Sequence, residues 1–321
     1  MNVASIIGNA YDIELDVPHF GIEIEVENAL APDELSDSLW NVVHDGSLRN
    51  NGLEFLSSRP FTKEEVEEQV PLFYEWKRTQ LYTTGVRTST HVHVNVLGMT
   101  LPQIAAASIV YTLVEPILFR YCGRLREENI YCVPWYRATD ELDVVKLLAS
   151  GSTSVMHAAC KYSALYLEPV TRFGTMEFRH APVFDSSEQL LTWVDMCERV
   201  VYSGFDTIEE VLECYEELSP DEFVEGIFGE RITRVLRGVC DASFEELMEQ
   251  YDVVTTAELA LACTYKPTEW FTPQYSVDGD GADGYHRVPN SMRDRLYNLD
   301  RMIEDEEPDM DEYYNEDEEI Y

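Results

Sequence analysis

The sequence predicts an α+β fold, a mostly antiparallel β-sheet packed by helices on one face. Two patterns carry this. Early segments such as Gly21-Ile22-Glu23-Ile24-Glu25-Val26 and His91-Val92-His93-Val94-Asn95-Val96 alternate apolar and polar residues with the period of a strand. From Ser186 onward the period becomes helical, and strands followed by helices build layered folds of this kind.

Taken in order, residues 1–18 carry no strong period and read as a lead-in with at most an edge strand. In the first strand Ile22, Ile24 and Val26 point one way, Glu23 and Glu25 the other. Pro32 to Ser38 reads as a loop or short helix, and Leu39-Trp40-Asn41-Val42-Val43 as a strand. His44-Asp45-Gly46-Ser47 is a turn, because Asp-Gly tolerates the backbone angles tight turns need, and Gly52 to Ser57 returns as the partner strand. Thr62-Lys63-Glu64-Glu65 is a capping box opening a helix to about Gln80, in which Pro71 predicts a kink or break. Thr88 to Val96 is the next strand, and Leu101 to Cys122 a long apolar helix that contains Pro116 and covers the sheet. Residues 123–139 are irregular and rich in arginine and aromatic residues, and Asp140 to Ser150 is a short helix. Two strands follow, Tyr162 to Leu167 and Thr175 to Ala181, linked by a turn holding Pro169 and Gly174. Helices are expected at about 187–204, 207–218, 221–229, 243–251 and 256–263, then a loop over 273–290.

This divides the chain into a sheet with its covering helices (1–185), a helical region packed on the same domain (186–302) and an acidic tail (303–321). The tail holds eleven acids between Glu304 and Glu319 and no base, so it is expected to be disordered. The remaining 50 acids still outnumber the 23 basic residues, and the whole chain carries a formal charge of −38. Such a field disfavours contact with nucleic acid or an anionic membrane. No charged start followed by an apolar run marks a secretory signal, and Glu115 and Pro116 interrupt the greasiest stretch short of a membrane span. Seven scattered cysteines without a Cys-x-x-Cys pair suggest free thiols in a reducing cytoplasm.

Strand alternation puts His91, His93 and Asn95 on one face, and repeats the arrangement with Glu177 and Arg179 in Thr175-Met176-Glu177-Phe178-Arg179. Asp45 and Glu54 flank the hairpin turn and can reach the same side. Taken singly, these are a turn-capping aspartate, an exposed glutamate, structural histidines and a surface ion pair. Taken together, they are a carboxylate-rich face suited to a hard cation such as Mg²⁺ or Mn²⁺, with an arginine placed for a phosphate. That is equipment for phosphoryl transfer from a nucleotide, although neither a Walker-type loop nor a Gly-x-Gly-x-x-Gly loop is present.

The series Gly21-Ile22-Glu23-Ile24-Glu25, Trp40 with Asp45-Gly46-Ser47, Leu53 to Ser58, His91-Val92-His93-Val94, Lys161-Tyr162 and Met176-Glu177-Phe178-Arg179 resembles the amidoligase family over about residues 19–182. These are carboxylate–amine ligases related to glutamine synthetase and glutamate–cysteine ligase, found in phages, bacteria and fungi. The resemblance implies a sheet of glutamine-synthetase-like type and ATP-dependent activation of a carboxylate as an acyl phosphate, which an amine then attacks. It implies Glu23, Glu25, Asp45, Glu54, His91 and Glu177 as the ligands of Mg²⁺ or Mn²⁺. Arg179, Lys161 and His93 are the expected nucleotide contacts, and Arg179, Lys161 and Glu54 the expected catalytic groups. Two positions depart from the pattern: Arg87-Thr88-Ser89-Thr90 lacks a glycine, and Tyr166 replaces an asparagine. The expected setting is the cytoplasm, a host's if the chain is of phage origin, with small-molecule or peptide carboxylates and amines as partners. A second reading is an inactive acidic protein that mimics nucleic acid or inhibits a host protein; it needs carboxylates spread over a convex surface rather than gathered in a cleft.

The tail contributes nothing to the constellation, so truncation after Arg301 is expected to leave Mg²⁺-ATP binding unchanged in equilibrium titrations. Abolished binding by a folded truncated chain would place the tail in the site.

Overall fold

In a computed structural model the described residues are 2–30, 38–135 and 161–249, with Val145, Leu148, Ala149 and Gly151 between them. The helix expected at 256–263, the loop at 273–290, the acidic tail, and nearly all of the segments at 32–38 and 140–150 lie outside the described residues.

Six strands form one sheet: β1 (Phe20–Val26), β2 (Trp40–His44), β3 (Leu53–Ser57), β4 (Thr90–Asn95), β5 (Leu165–Tyr166) and β6 (Thr175–Ala181). Their order is β2-β3-β1-β4-β6-β5, and every neighbouring pair is antiparallel. The fold is therefore α+β with an antiparallel sheet. Among the described residues the helices are α1 (Ala4–Ile7), α2 (Lys63–Thr79), α3 (Leu101–Cys122), α4 (Arg124–Glu127), α5 (Pro169–Arg172), α6 (Ser187–Val201), α7 (Ile208–Glu217), α8 (Pro220–Val239) and α9 (Phe244–Glu249).

Alternation along the strands sorts the two faces. Ile22, Ile24, Phe55, Val92, Val94, Met176 and Phe178 are fully buried on one of them. Helices cover that face: the Phe55 ring lies 5.1 Å from Phe73 and 4.4 Å from Trp76 of α2. Phe178 lies 5.8 Å from Tyr111 of α3 and 6.3 Å from Trp193 of α6. Aromatic pairs at these distances add attraction beyond the apolar area they bury. The other face is left to the charged residues.

Helix starts follow the sequence closely. Thr62, Thr100, Ser186 and Ser219 each accept from the backbone N–H three residues on, and a Glu or Gln at that position answers to the cap. Helix interiors depart from expectation. α2 continues through Pro71, because burial of Val66, Val70 and Phe73 outweighs the one hydrogen bond the proline removes. α3, by contrast, runs through Pro116 from Leu101 to Cys122 as expected. The helix expected to end at 229 resumes after it: Gly229 takes φ +70°, a left-handed angle glycine adopts without strain, and α8 runs on to Val239. The lead-in forms α1 and a lone bridge between Asn2 and Thr100 rather than an edge strand.

By length and composition α3 is able to cross a membrane, contrary to the reading that it falls short; 89% of its most apolar stretch is buried within this fold. Cys122, Cys132, Cys197, Cys214 and Cys240 are all free thiols, as their spacing suggested.

Phe55→Ala should cost about 3–5 kcal/mol in urea unfolding, the usual range for emptying a large buried aromatic site. A loss below about 1 kcal/mol would show that α2 does not seat on β3 as described.

Candidate metal centre

Register brings the polar residues of three strands side by side. Glu23 of β1 pairs with His91 of β4, and Gly21 of β1 pairs with His93. His93 in turn faces Glu177 of β6. On the other side of β1, Glu25 stands opposite Glu54 of β3. Gly21 leaves His93 room, since a Cβ at that position would come within 3.2 Å of the His93 Cβ and the ring would have to give by a few tenths of an ångström.

Two groups of possible ligands result. One ligand atom from each of Glu23, His93 and Glu177 lies within 4.8 Å of the others, and the same holds for Glu25, Asp45 and Glu54. Ligand atoms around a Mg²⁺ ion with bonds of about 2.1 Å stand roughly 3 to 4 Å apart, so small side-chain adjustments suffice. β1 supplies a glutamate to each group, two residues apart on one face.

In the first group the His93 Nε2 lies 3.2 Å from Glu23 Oε1 and 3.9 Å from Glu177 Oε2. That nitrogen is buried and makes no hydrogen bond, while Nδ1 on the far side of the ring is held by Thr175 Oγ1 at 3.0 Å. A ring fixed through one nitrogen with the other directed at two carboxylates is the arrangement of a metal-ligating imidazole. His91 is differently employed. Its Nδ1 lies 2.9 Å from Glu23 Oε2 and its Nε2 2.8 Å from Ser89 Oγ, so both nitrogens have protein partners. His93, expected as a nucleotide contact, thus sits among the candidate ligands, while His91, expected as a ligand, is engaged by Glu23 and Ser89.

Charge in the first group is balanced. Burial pushes the Glu23 carboxyl up, but the His91 hydrogen bond and the close approach of both histidines outweigh it and hold the group well below the usual carboxylate range. Burial alone would lower His93, yet the charges of Glu177 and Glu23 raise it. The second group has no such cation. Burial, then the charges of Glu23, Glu25 and Asp45, push Glu54 up to about 8. Asp45 caps its own turn, accepting from the Ser47 N–H and hydroxyl at 2.8 Å each.

Arg179 bonds Glu177 Oε1 and lies over the Tyr166 ring, 5.9 Å from its centre. The register of β4 and β6 slips by one residue between Val92 and Thr90, so Arg179 and His180 together face His91. This bulge is bound from outside the sheet by Arg126 of α4. Its buried guanidinium donates to the carbonyls of Arg179 at 3.1 Å, His180 at 3.0 Å and Thr88 at 3.3 Å. Lys161 is not brought in: it is exposed in the turn ahead of β5, and among the described residues no hydrogen bond or ion pair joins it to these carboxylates. A cavity of about 210 Å³ opens beside Glu23 and His93, walled by Tyr11, His19, Arg59 and Phe173.

Ser89, Thr175 and Arg126 did not emerge as site residues from the sequence. Ser89 and Thr175 carry a signal, each lying two residues before a polar residue of the same strand face; Arg126 carries none. No protein-family model matches the chain, and a search of curated proteins finds no match.

An acid whose folded pKa exceeds its unfolded value holds its proton longer in the native state. Glu54 should therefore make stability fall as pH rises from about 4.5 to about 8, with no contribution to the slope below that window. Urea melts in EDTA across this range should show the decline in the wild type and a shallower one in Glu54→Gln. Equal slopes would mean Glu54 is not crowded by its neighbours.

Proposed function

We propose that this chain is an ATP-dependent carboxylate–amine ligase of glutamine-synthetase-like type, working with Mg²⁺ or Mn²⁺. The reading is carried by one observation: Glu23 and Glu25, alternate residues of one strand, each anchor a three-residue ligand group on the same sheet face, with Arg179 beside the first. The order of motifs shared with the amidoligase family supports it. The donor sets fit hard divalent cations, since five of the six side chains are carboxylates and the sixth is an imidazole with a buried, unbonded nitrogen.

In this reading Glu23, His93 and Glu177 hold one cation and Glu25, Asp45 and Glu54 the other. Bound metal would neutralise the charge of the nucleotide phosphates and of the carboxylate they activate. The terminal phosphoryl group passes to the substrate carboxylate and ADP leaves. An amine then attacks the acyl phosphate, inorganic phosphate departs, and an amide remains. Arg179 grips the phosphoryl group in transfer, with its planar fork directed by Glu177 and its face against Tyr166. The cavity beside Glu23 and His93 gives substrate or nucleotide a way to the metals. Acids gathered on one face and interleaved with histidines support this reading over mimicry of nucleic acid.

ADP release with Mg²⁺-ATP across a panel of carboxylates, with and without amines, tests the proposal; it stands if release depends on both. Glu177→Gln should raise the Mg²⁺ half-saturation about 10-fold or more, as loss of a charged ligand requires. Arg179→Lys keeps the charge but loses the fork, and should lower kcat about 10-fold or more with little change in the Mg²⁺ requirement. Near-wild-type turnover and Mg²⁺ dependence in both variants would remove the two residues from the site and leave them a structural ion pair.

A further inference from the structure

Ser89 lies between the two ligand groups, bonded to Glu25 of one and, through His91, linked to Glu23 of the other. Its backbone N–H donates to Glu25 Oε2 at 2.8 Å and its hydroxyl donates to the same oxygen at 2.6 Å. Its carbonyl accepts from the Glu25 N–H at 3.0 Å. The hydroxyl oxygen also lies 2.8 Å from His91 Nε2, within hydrogen-bond reach. The opposite nitrogen of that ring meets Glu23 Oε2 at 2.9 Å. A chain of hydrogen bonds thus runs Glu25, Ser89, His91, Glu23, and every member is largely buried or packed against a buried one: Glu25 is 7% exposed, Ser89 6% and His91 4%.

The choice of oxygens gives the chain a purpose. Glu23 uses Oε2 toward His91, while its Oε1 is the oxygen nearest His93 Nε2. Glu25 uses Oε2 toward Ser89, which leaves its Oε1 outside that contact. Each glutamate of β1 is therefore gripped by one oxygen and presents the other. A carboxylate held in this way keeps its orientation when the cation leaves, and less rotational freedom is lost when it binds.

We propose that Ser89 is a positioning residue for both ligand groups at once, acting directly on Glu25 and through His91 on Glu23. The inference rests on the metal-binding reading above. It extends that reading to a residue outside both ligand sets, and it gives His91 a supporting role in place of a ligand's.

The test is Mn²⁺ titration by calorimetry, with free Mn²⁺ counted by electron paramagnetic resonance. Two single-group backgrounds are used: Glu177→Gln, which spares the Glu25 group, and Glu54→Gln, which spares the Glu23 group. Ser89→Cys replaces the hydroxyl by a weak donor of similar size and avoids opening a cavity, and Ser89→Thr restores a hydroxyl. Ser89→Cys should weaken Mn²⁺ about 10- to 100-fold in each background, the range for losing an outer partner of a ligand, and Ser89→Thr should recover most of it. Weakening confined to the Glu177→Gln background would overturn the inference, because Ser89 would then serve Glu25 alone. Affinities unchanged by Ser89→Cys in both backgrounds would overturn it as well. Absence of Mn²⁺ binding by the otherwise wild-type chain would sink the metal reading itself, and the positioning role with it.

Discussion

Mutual repulsion of carboxylates on neighbouring strands is the constraint from which the rest of this sheet face follows. Strands lie about 4.8 Å apart, and two full charges about 5 Å apart near a protein surface repel by roughly 3 kcal/mol. Glu25 and Glu54 stand opposite one another on β1 and β3, and Glu23 and Glu177 flank the histidines of β4 from either side. A protein selected only for stability would replace most of them. Here nearly every one is given a neighbour that takes up charge: His91 and His93 for Glu23, Arg179 for Glu177, and the Ser89 hydroxyl and N–H for Glu25. Glu54 lacks one, and its proton affinity rises accordingly. The packed helices behind the sheet hold the strands in register against this strain.

Much of that arrangement was legible in the sequence, because alternation on a strand is a local property. Ile22, Glu23, Ile24 and Glu25 sort themselves onto two faces with no knowledge of any partner, and the Asp45-Gly46 turn announces its hairpin. The cap at Thr62 was equally plain. What alternation cannot supply is register. His91 and His93 share a face, and only their pairing decides that His93 meets Glu177 while His91 is engaged by Ser89. The slip between β4 and β6, and the Arg126 guanidinium that binds it, depend on a contact between residues more than fifty positions apart. Lys161 shows the opposite failing: a motif matched in the sequence, yet the side chain is exposed and apart from the carboxylates. Pro71 marks a third limit, where tertiary packing overrides a local breaker.

The face also divides unequally between rigid and adjustable parts. The Glu23 group draws on β1, β4 and β6, all interior to the six-stranded sheet. The Glu25 group draws on β1, on β3 and on the turn that joins β2 to β3, so two of its three members belong to a hairpin at the sheet's border. Border hairpins open locally at lower free energy than central strands. Ser89 ties the one central member of that group, Glu25, to the interior, so the adjustable half is referenced to the rigid half.

The strand order has a consequence for the chain as it is made. β1, β2 and β3 are complete once Ser57 has been added, so the side chains of the border group are all present early in synthesis. The interior group waits for Glu177, which follows β4 only after α3 and the connection beyond it, about 80 residues and several seconds of synthesis later. Throughout that interval β4 has β1 on one side and an open edge on the other, where β6 will dock. An unpaired edge invites pairing with another chain until its neighbour docks. His91 and His93 lie on β4 itself, so the polar face stays incomplete until its last central strand arrives.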